Sequence, residues 1–234
     1  MAATLPSGPL GLFGGTFDPV HFGHLRLATE LAEAFHLERV VFLPAGLPYH
    51  RGRAAHATSE QRLTMLKLAT QRDARFGVDD RELKRAGETY TYDTLAEIRA
   101  ERGPDVPLVF LLGSDAFAKI DTWHRAEELF GVAHFAVAVR AGDEAWSSKG
   151  PGAFPRLAWP RITLNPRELL SAPSGKVISF AMTPLAISST ALRTLAAEGA
   201  SIRYLTPDPV ADYIRTHRLY STDRAPQAAD LTTR

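Results

Sequence analysis

The stretch from Leu10 to Pro44 limits the fold more than any other part of this chain. Leu10 to Phe13 is a short apolar run and reads as a buried strand. From Phe22 to Phe35 the apolar residues Ala28, Leu31, Ala32 and Phe35 recur at i, i+3, i+4 and i+7, which puts them on one face of a helix. Arg39 to Leu43 then supplies a β-branched strand ending at Pro44. Strand, helix and strand in about 35 residues make a βαβ unit, whose two strands run parallel.

The alternation continues down the chain. Thr58 and Gln61 form a capping box that opens a helix to Thr70. Tyr92 to Arg102 reads as a helix stopped by Gly103, and Val106 to Leu112 as a further apolar strand. Arg125 to Phe130 reads as a helix stopped by Gly131, and Ala133 to Val139 as another strand. Val177 to Phe180 is a weaker strand before a helix from Ser188 to Glu198, closed by Gly199. The expected class is α/β, a doubly wound, mostly parallel sheet with a small C-terminal helical part. Residues 10–220 form one domain, with flexible tails at 1–9 and 221–234. Ala141 to Pro173 is rich in Gly, Pro, Ser and Trp without periodicity, and reads as a flap-like surface excursion of that domain.

Charge and cysteine usage exclude some classes of function. With 27 basic against 26 acidic residues the net charge is +1, which argues against holding nucleic acid by counterion release. The absence of cysteine excludes disulfides and thiolate metal sites and fits a reducing cytoplasm. The first residues lack the basic and apolar regions of a signal peptide, and no apolar run is long enough to span a bilayer. A cytoplasmic protein with neither a nucleic-acid nor a membrane partner is expected. A homo-oligomer is compatible with the sequence.

The chemistry concentrates in GLFGGTFDPVHFGH, Gly11 to His24. In an open parallel sheet ligands bind at the carboxyl ends of the strands, where Gly14 and Gly15 fall. Glycine lets backbone amides approach a phosphate, and the following helix offers free N–H groups and a positive dipole end. His21 and His24, three apart at the helix start, project to one side and can donate to phosphate oxygens, and an anion there raises their pKa. Asp18 is placed as a cap or as a supporting partner. Two glycines after a strand can also be an ordinary turn. The histidines as zinc ligands lack a completing His or Glu set, and G-x-G-x-x-G, the dinucleotide fingerprint, is absent.

GGTFDPVHFGH resembles the signature of the nucleotidyltransferase superfamily that carries an H-x-G-H motif, and its wording resembles the bacterial nicotinate mononucleotide adenylyltransferases. Further segments match that family in order: PAGLPYHR (Pro44 to Arg51), DRELKR (Asp80 to Arg85), TYTYDTL (Thr89 to Leu95), PLVFLLGSDAF with DTW (Pro107 to Trp123), ISSTALR (Ile187 to Arg193) and LTPDPVADYI (Leu205 to Ile214). The likeness runs from Leu10 to Tyr220. It implies a Rossmann-like nucleotidyltransferase fold and transfer of AMP from ATP to nicotinate mononucleotide, giving deamido-NAD and pyrophosphate. The partners so implied are ATP and nicotinate mononucleotide. Mg²⁺ enters with ATP, since no carboxylate cluster resembles a dedicated cage.

By the resemblance, Gly14, Gly15, Thr16 and Phe17 line the adenylate and phosphate site, and His21 and His24 take the triphosphate, His24 at the α-phosphate. Ser188, Thr190 and Arg193 in ISSTALR correspond to the KMSKS loop of class I aminoacyl-tRNA synthetases, and Gly113 and Asp115 meet the ribose or adenine side. For the acceptor, Trp123 stacks on the pyridine ring and Thr91 lies near its carboxylate. His50 and Arg51 reach a substrate phosphate. The chain departs from the family pattern at His124, where Tyr is usual, at Pro48-Tyr49-His50 for Pro-Pro-His, and at Arg140-Ala141-Gly142 for Arg-Pro-Gly. Two other readings stay open on the sequence: another superfamily transferase, such as pantetheine-phosphate adenylyltransferase, and a nucleotide-binding regulator without turnover.

Overall fold

Six strands run parallel because helical crossovers join them and cover both faces of the sheet. The structure, a computed structural model, describes residues 8–48, 55–139 and 154–221. In chain order these hold β1 (Leu10–Gly15), α1 (Phe22–Ala34), β2 (Arg39–Pro44), β3 (Leu47–Pro48), α2 (Ser59–Thr70) and β4 (Phe76–Val78). There follow α3 (Arg81–Lys84), β5 (Glu88–Thr89), α4 (Thr91–Arg102), β6 (Leu108–Gly113) and α5 (Ser114–Phe117). The chain continues through α6 (Ala126–Val132), β7 (His134–Val139), β8 (Val177–Ala181), α7 (Ser189–Ala197) and α8 (Asp208–Thr216).

The main sheet has the order β4-β2-β1-β6-β7-β8, all parallel, and β3 and β5 pair in a small second sheet. Each layer has its own core. Phe13, Phe42 and Ala136 pack with Leu27 and Leu31 of α1, Met65 and Leu66 of α2, Leu192 of α7, and Val210 and Ile214 of α8. Leu10, Leu12, Phe110 and Phe135 pack on the other face with Leu95 and Ile98 of α4, Phe117 of α5, and Leu129 and Phe130 of α6. The strand order reverses direction at β1 and β6, so the crevice for a ligand opens at their carboxyl ends. Among the described residues no helix is long and apolar enough to cross a membrane.

Two expectations differ from the structure, and one strand was not read at all. The helix read as stopped by Gly131 runs on to Val132, because Gly131 keeps a helical backbone instead of the positive φ of a helix-ending glycine. The edge strand β4, three residues long and containing Gly77, was too short to register as a period. Of the expected excursion at 141–173, residues 154–173 are fastened to the body. Asp121 accepts from the Arg156 and Leu157 amides at 2.7 and 3.2 Å, Ile162 bridges to Val177, and Ala158 and Leu169 are fully buried. Arg140 and residues 141–153 lie outside the described residues.

Candidate active site

β1 ends in Gly14-Gly15, and the chain then turns through Thr16 to Val20 into α1. The two glycines are demanded by aromatic packing. A Cβ on Gly15 would sit 2.8 Å from Phe17 Cζ, and one on Gly14 would sit 2.9 Å from Phe110 Cζ. Phe17 itself is buried at 2% exposure, edge-on to Phe13 with ring centroids 5.4 Å apart, so its ring faces the core. Its φ of +49° lies in the left-handed region.

His21 is the N-cap of α1 and His24 stands one turn in, which lays their rings face to face with centroids 3.7 Å apart and planes 28° apart. The His21 amide donates to His24 Nδ1 at 3.2 Å. That contact requires a bare Nδ1, so neutral His24 carries its proton on Nε2. His24 is also edge-on to Phe17, with centroids 5.0 Å apart, while His21 Nδ1 is buried and meets no hydrogen-bond partner among the described residues. Burial lowers His21 to about 4, and burial together with the neighbouring His21 holds His24 well below the ordinary imidazole value. The ligand-free site therefore presents two neutral rings at pH 7; the cationic pair expected beside a phosphate needs that phosphate's charge.

The second phosphate-clamp candidate converges on the same turn. Ser188 caps α7 by accepting from the Ala191 amide at 3.1 Å, and Ser189 Oγ donates to Pro19 O at 2.9 Å. Arg193, one turn on, donates to Asp18 O at 2.7 Å and to Thr190 Oγ1 at 3.2 Å. Gly113, the last residue of β6, and Asp115, in α5, stand exposed. His21, His24, Ser188, Thr190 and Arg193 are thus brought together around one turn.

The acceptor candidates form a neighbouring group. Thr91 is the first residue of α4, flanked by Tyr90, whose ring lies 4.4 Å from that of His124, and by Tyr92, whose ring lies 3.8 Å below the Arg125 guanidinium. Those two contacts seat the Trp123 segment against the start of α4. Trp123 is half-buried, packed against the second core with part of its surface open. His50 and Arg51 lie outside the described residues.

Sequence reasoning missed Arg62 and Tyr220. Arg62, 2% exposed, donates through Nη1 to Thr16 O at 2.9 Å, and the Tyr220 hydroxyl donates to Asp18 Oδ1 at 2.7 Å. One signal was available for the first: Arg62 shares the buried stripe of α2 with Met65 and Leu66, where a cation has no place unless it is paired.

Residues 12–195 match the cytidylyltransferase-like family. The probable nicotinate-nucleotide adenylyltransferase of Dechloromonas aromatica (strain RCB) is 48% identical over 214 residues, covering 92% of this chain and 98% of that relative. The chain belongs to this family, in its nicotinate-nucleotide adenylyltransferase branch. Another member of the branch, from Marinobacter nauticus, is 44% identical over 89% of this chain and 95% of its own length. Among solved structures, Plasmodium falciparum nicotinic acid mononucleotide adenylyltransferase complexed with NaAD superposes with a TM-score of 0.63 at 19% identity. That alignment covers 91% of this chain and 97% of the parasite enzyme, and at such low identity it shows the fold the branch shares. The six-strand parallel sheet of this chain is that fold.

Proposed function

We propose that the chain joins ATP to nicotinate mononucleotide through the turn at Thr16 to His24. An oxygen of the acceptor phosphate forms a bond to the α-phosphorus of ATP, the bond from that phosphorus to the bridging oxygen breaks, and pyrophosphate leaves with the electron pair. A phosphomonoester's second pKa is about 6, so the nucleophile is already ionised at neutral pH and no general base is needed. Positioning and charge neutralisation remain to be supplied. The observation that carries the reading is the convergence of the stacked His21 and His24 with Arg193 on a single turn at the sheet's switch point.

His24 offers a neutral Nε2–H to the α-phosphate, and Arg193, with Ser188 and Thr190, takes the outer phosphates. Gly14, Gly15, Thr16 and Phe17 offer main chain to the adenylate, and Gly113 and Asp115 serve its ribose or base. A divalent ion, here Mg²⁺, enters as part of the ATP substrate, held chiefly by phosphates and water as this ion prefers. Trp123 stacks on the pyridine ring, and the first amides of α4 at Thr91 face its carboxylate. His50 and Arg51 are assigned to the acceptor phosphate.

A nicotinamide in that pocket would turn an NH₂ toward donors. Each buried donor left unpaired costs about 1–3 kcal/mol. Pyrophosphate release with ATP, Mg²⁺ and either mononucleotide tests the reading: the acid is expected to be preferred by about 10²-fold or more in kcat/KM. Trp123→Ala should weaken both acceptors by about tenfold, the worth of a stacking surface. Equal use of acid and amide would overturn the carboxylate pocket, and turnover only with pantetheine phosphate would overturn the acceptor class.

A further inference from the structure

Between Thr16 and Val20 the turn that carries the histidines is held from behind by side chains far along the sequence. Thr16 O accepts from Arg62 Nη1 at 2.9 Å and Asp18 O from Arg193 Nη1 at 2.7 Å. Pro19 O accepts from Ser189 Oγ at 2.9 Å, and Val20 O from Thr206 Oγ1 at 2.8 Å. The Asp18 carboxylate is enclosed as well: Oδ1 accepts from the Tyr220 hydroxyl at 2.7 Å and the Ala57 amide at 3.1 Å, and Oδ2 from the His56 amide at 2.7 Å. Asp18 and Arg62 are 3% and 2% exposed, and the Arg62 cation feels the Asp18 charge. In such surroundings a broken bond leaves a buried group unpaired, and linked bonds reinforce one another.

The turn needs this hold. Phe17 has a φ of +49° and Tyr220 a φ of +66°, in the left-handed region that side chains disfavour. Such conformations persist only where the surroundings over-determine them. Thr16 O and the Asp18 carboxylate flank Phe17, and they are the two groups that Arg62 and Tyr220 grip. Arg193 makes the link to the reaction, because the guanidinium assigned to the phosphates is itself registered on Asp18 O. A displaced Asp18 therefore displaces Arg193 and the entry of His21 into α1 together.

We propose that Arg62 and Tyr220 are positioning residues of the triphosphate site, fixing the Thr16 to Val20 turn through Thr16 O and the Asp18 carboxylate so that His21, His24 and Arg193 address one phosphate chain. This rests on the adenylyl-transfer reading above. The acceptor group at Thr91 and Trp123 stands on other elements, α4 and the segment before α6, so the two substrates should respond differently.

The experiment compares the full-length wild type with Tyr220→Phe, which keeps the ring and deletes one hydroxyl. Pyrophosphate release is measured with both substrates varied, well below the melting temperature found by circular dichroism. A wild type without turnover would overturn the adenylyl-transfer reading instead, so the two failures are distinct. With an active wild type, Tyr220→Phe is expected to lose about tenfold in kcat/KM for ATP, one buried hydrogen bond's worth, while KM for nicotinate mononucleotide stays within about twofold. Arg62→Lys, which keeps the charge but loses the guanidinium fork, should give the same ATP-sided loss. Variants that melt earlier but keep wild-type kinetics, or that lose both substrates equally, would overturn the proposal.

Discussion

At the scale of single residues, the two histidines have unequal duties although the motif makes them look alike. The His21 amide occupies His24 Nδ1, which leaves His24 only its Nε2–H to aim outward, whereas His21 Nδ1 is buried and has no partner among the described residues. Long-range ¹⁵N–¹H spectra of the ligand-free protein at pH 7 should show His24 as the neutral Nε2–H tautomer; an imidazolium or an Nδ1–H signal would contradict the geometry. His24→Ala should lower turnover by about 10²–10³ with unchanged circular dichroism, as for a preorganised donor lost from a phosphate site. A nearly active His24→Ala would remove it from the α-phosphate. The histidines were legible in the sequence because their spacing alone puts them on one side of a helix. Phe17 was legible only in part: a motif can mark a residue as belonging to the site but not say that its ring turns inward to fill the space above Gly15.

Among the elements, the junction of β6 and α5 separates two reasons for a glycine. Gly14 and Gly15 cannot take a Cβ without displacing a ring, whereas a Cβ at Gly113 meets nothing within 4 Å and its φ is −76°. Gly113→Ala should therefore leave the melting temperature unchanged or slightly raised, since an unstrained Gly→Ala change trims the unfolded state's freedom. Its KM for ATP should nonetheless rise severalfold if the adenylate lies against that main chain. Unchanged kinetics would make Gly113 an ordinary turn. The long strands were legible as unbroken apolar runs, LVFLLG and HFAVAV, and α2 through its Thr58 and Gln61 capping box, which forms as expected. What stayed hidden depends on distance along the chain. The bonds of Arg62 to Thr16 and of Tyr220 to Asp18 span 46 and 202 residues, and no local period encodes a partner that far away.

Across the whole molecule, buried polar groups tie both edges of the sheet, and those on histidine set how the fold meets acid. At the carboxyl edge stand His21 and His24. Toward the amino edge, Arg99 donates to Val106 O at 2.6 Å and Pro173 O at 2.7 Å, and the fully buried His134 joins β7 to the start of β8. His134 Nδ1 accepts from the Lys176 amide at 3.0 Å and its Nε2 donates to Ala172 O at 2.8 Å, an arrangement that only the neutral ring can make. Burial pulls all three imidazoles below their unfolded value of 6.5, His21 to about 4. The sign follows from linkage: the unfolded chain binds these protons first, so their contribution is complete above pH 6.5 and is lost as pH falls toward the folded values. Ion-paired carboxylates such as Asp73 and Glu168 are shifted downward, so they act only below about pH 4.5, and Glu82, raised by burial, acts with the opposite sign. The window between pH 6.5 and 5 is therefore where the histidines take up their protons. Urea unfolding across it should show stability falling by up to about 1.4 kcal/mol per pH unit for each histidine engaged. Removing one of them, as in His134→Asn, should flatten the slope by that one proton. A stability that is level from pH 8 to 5 would mean that these rings are hydrated in the folded protein, against the burial on which both the site and the β7 to β8 join depend.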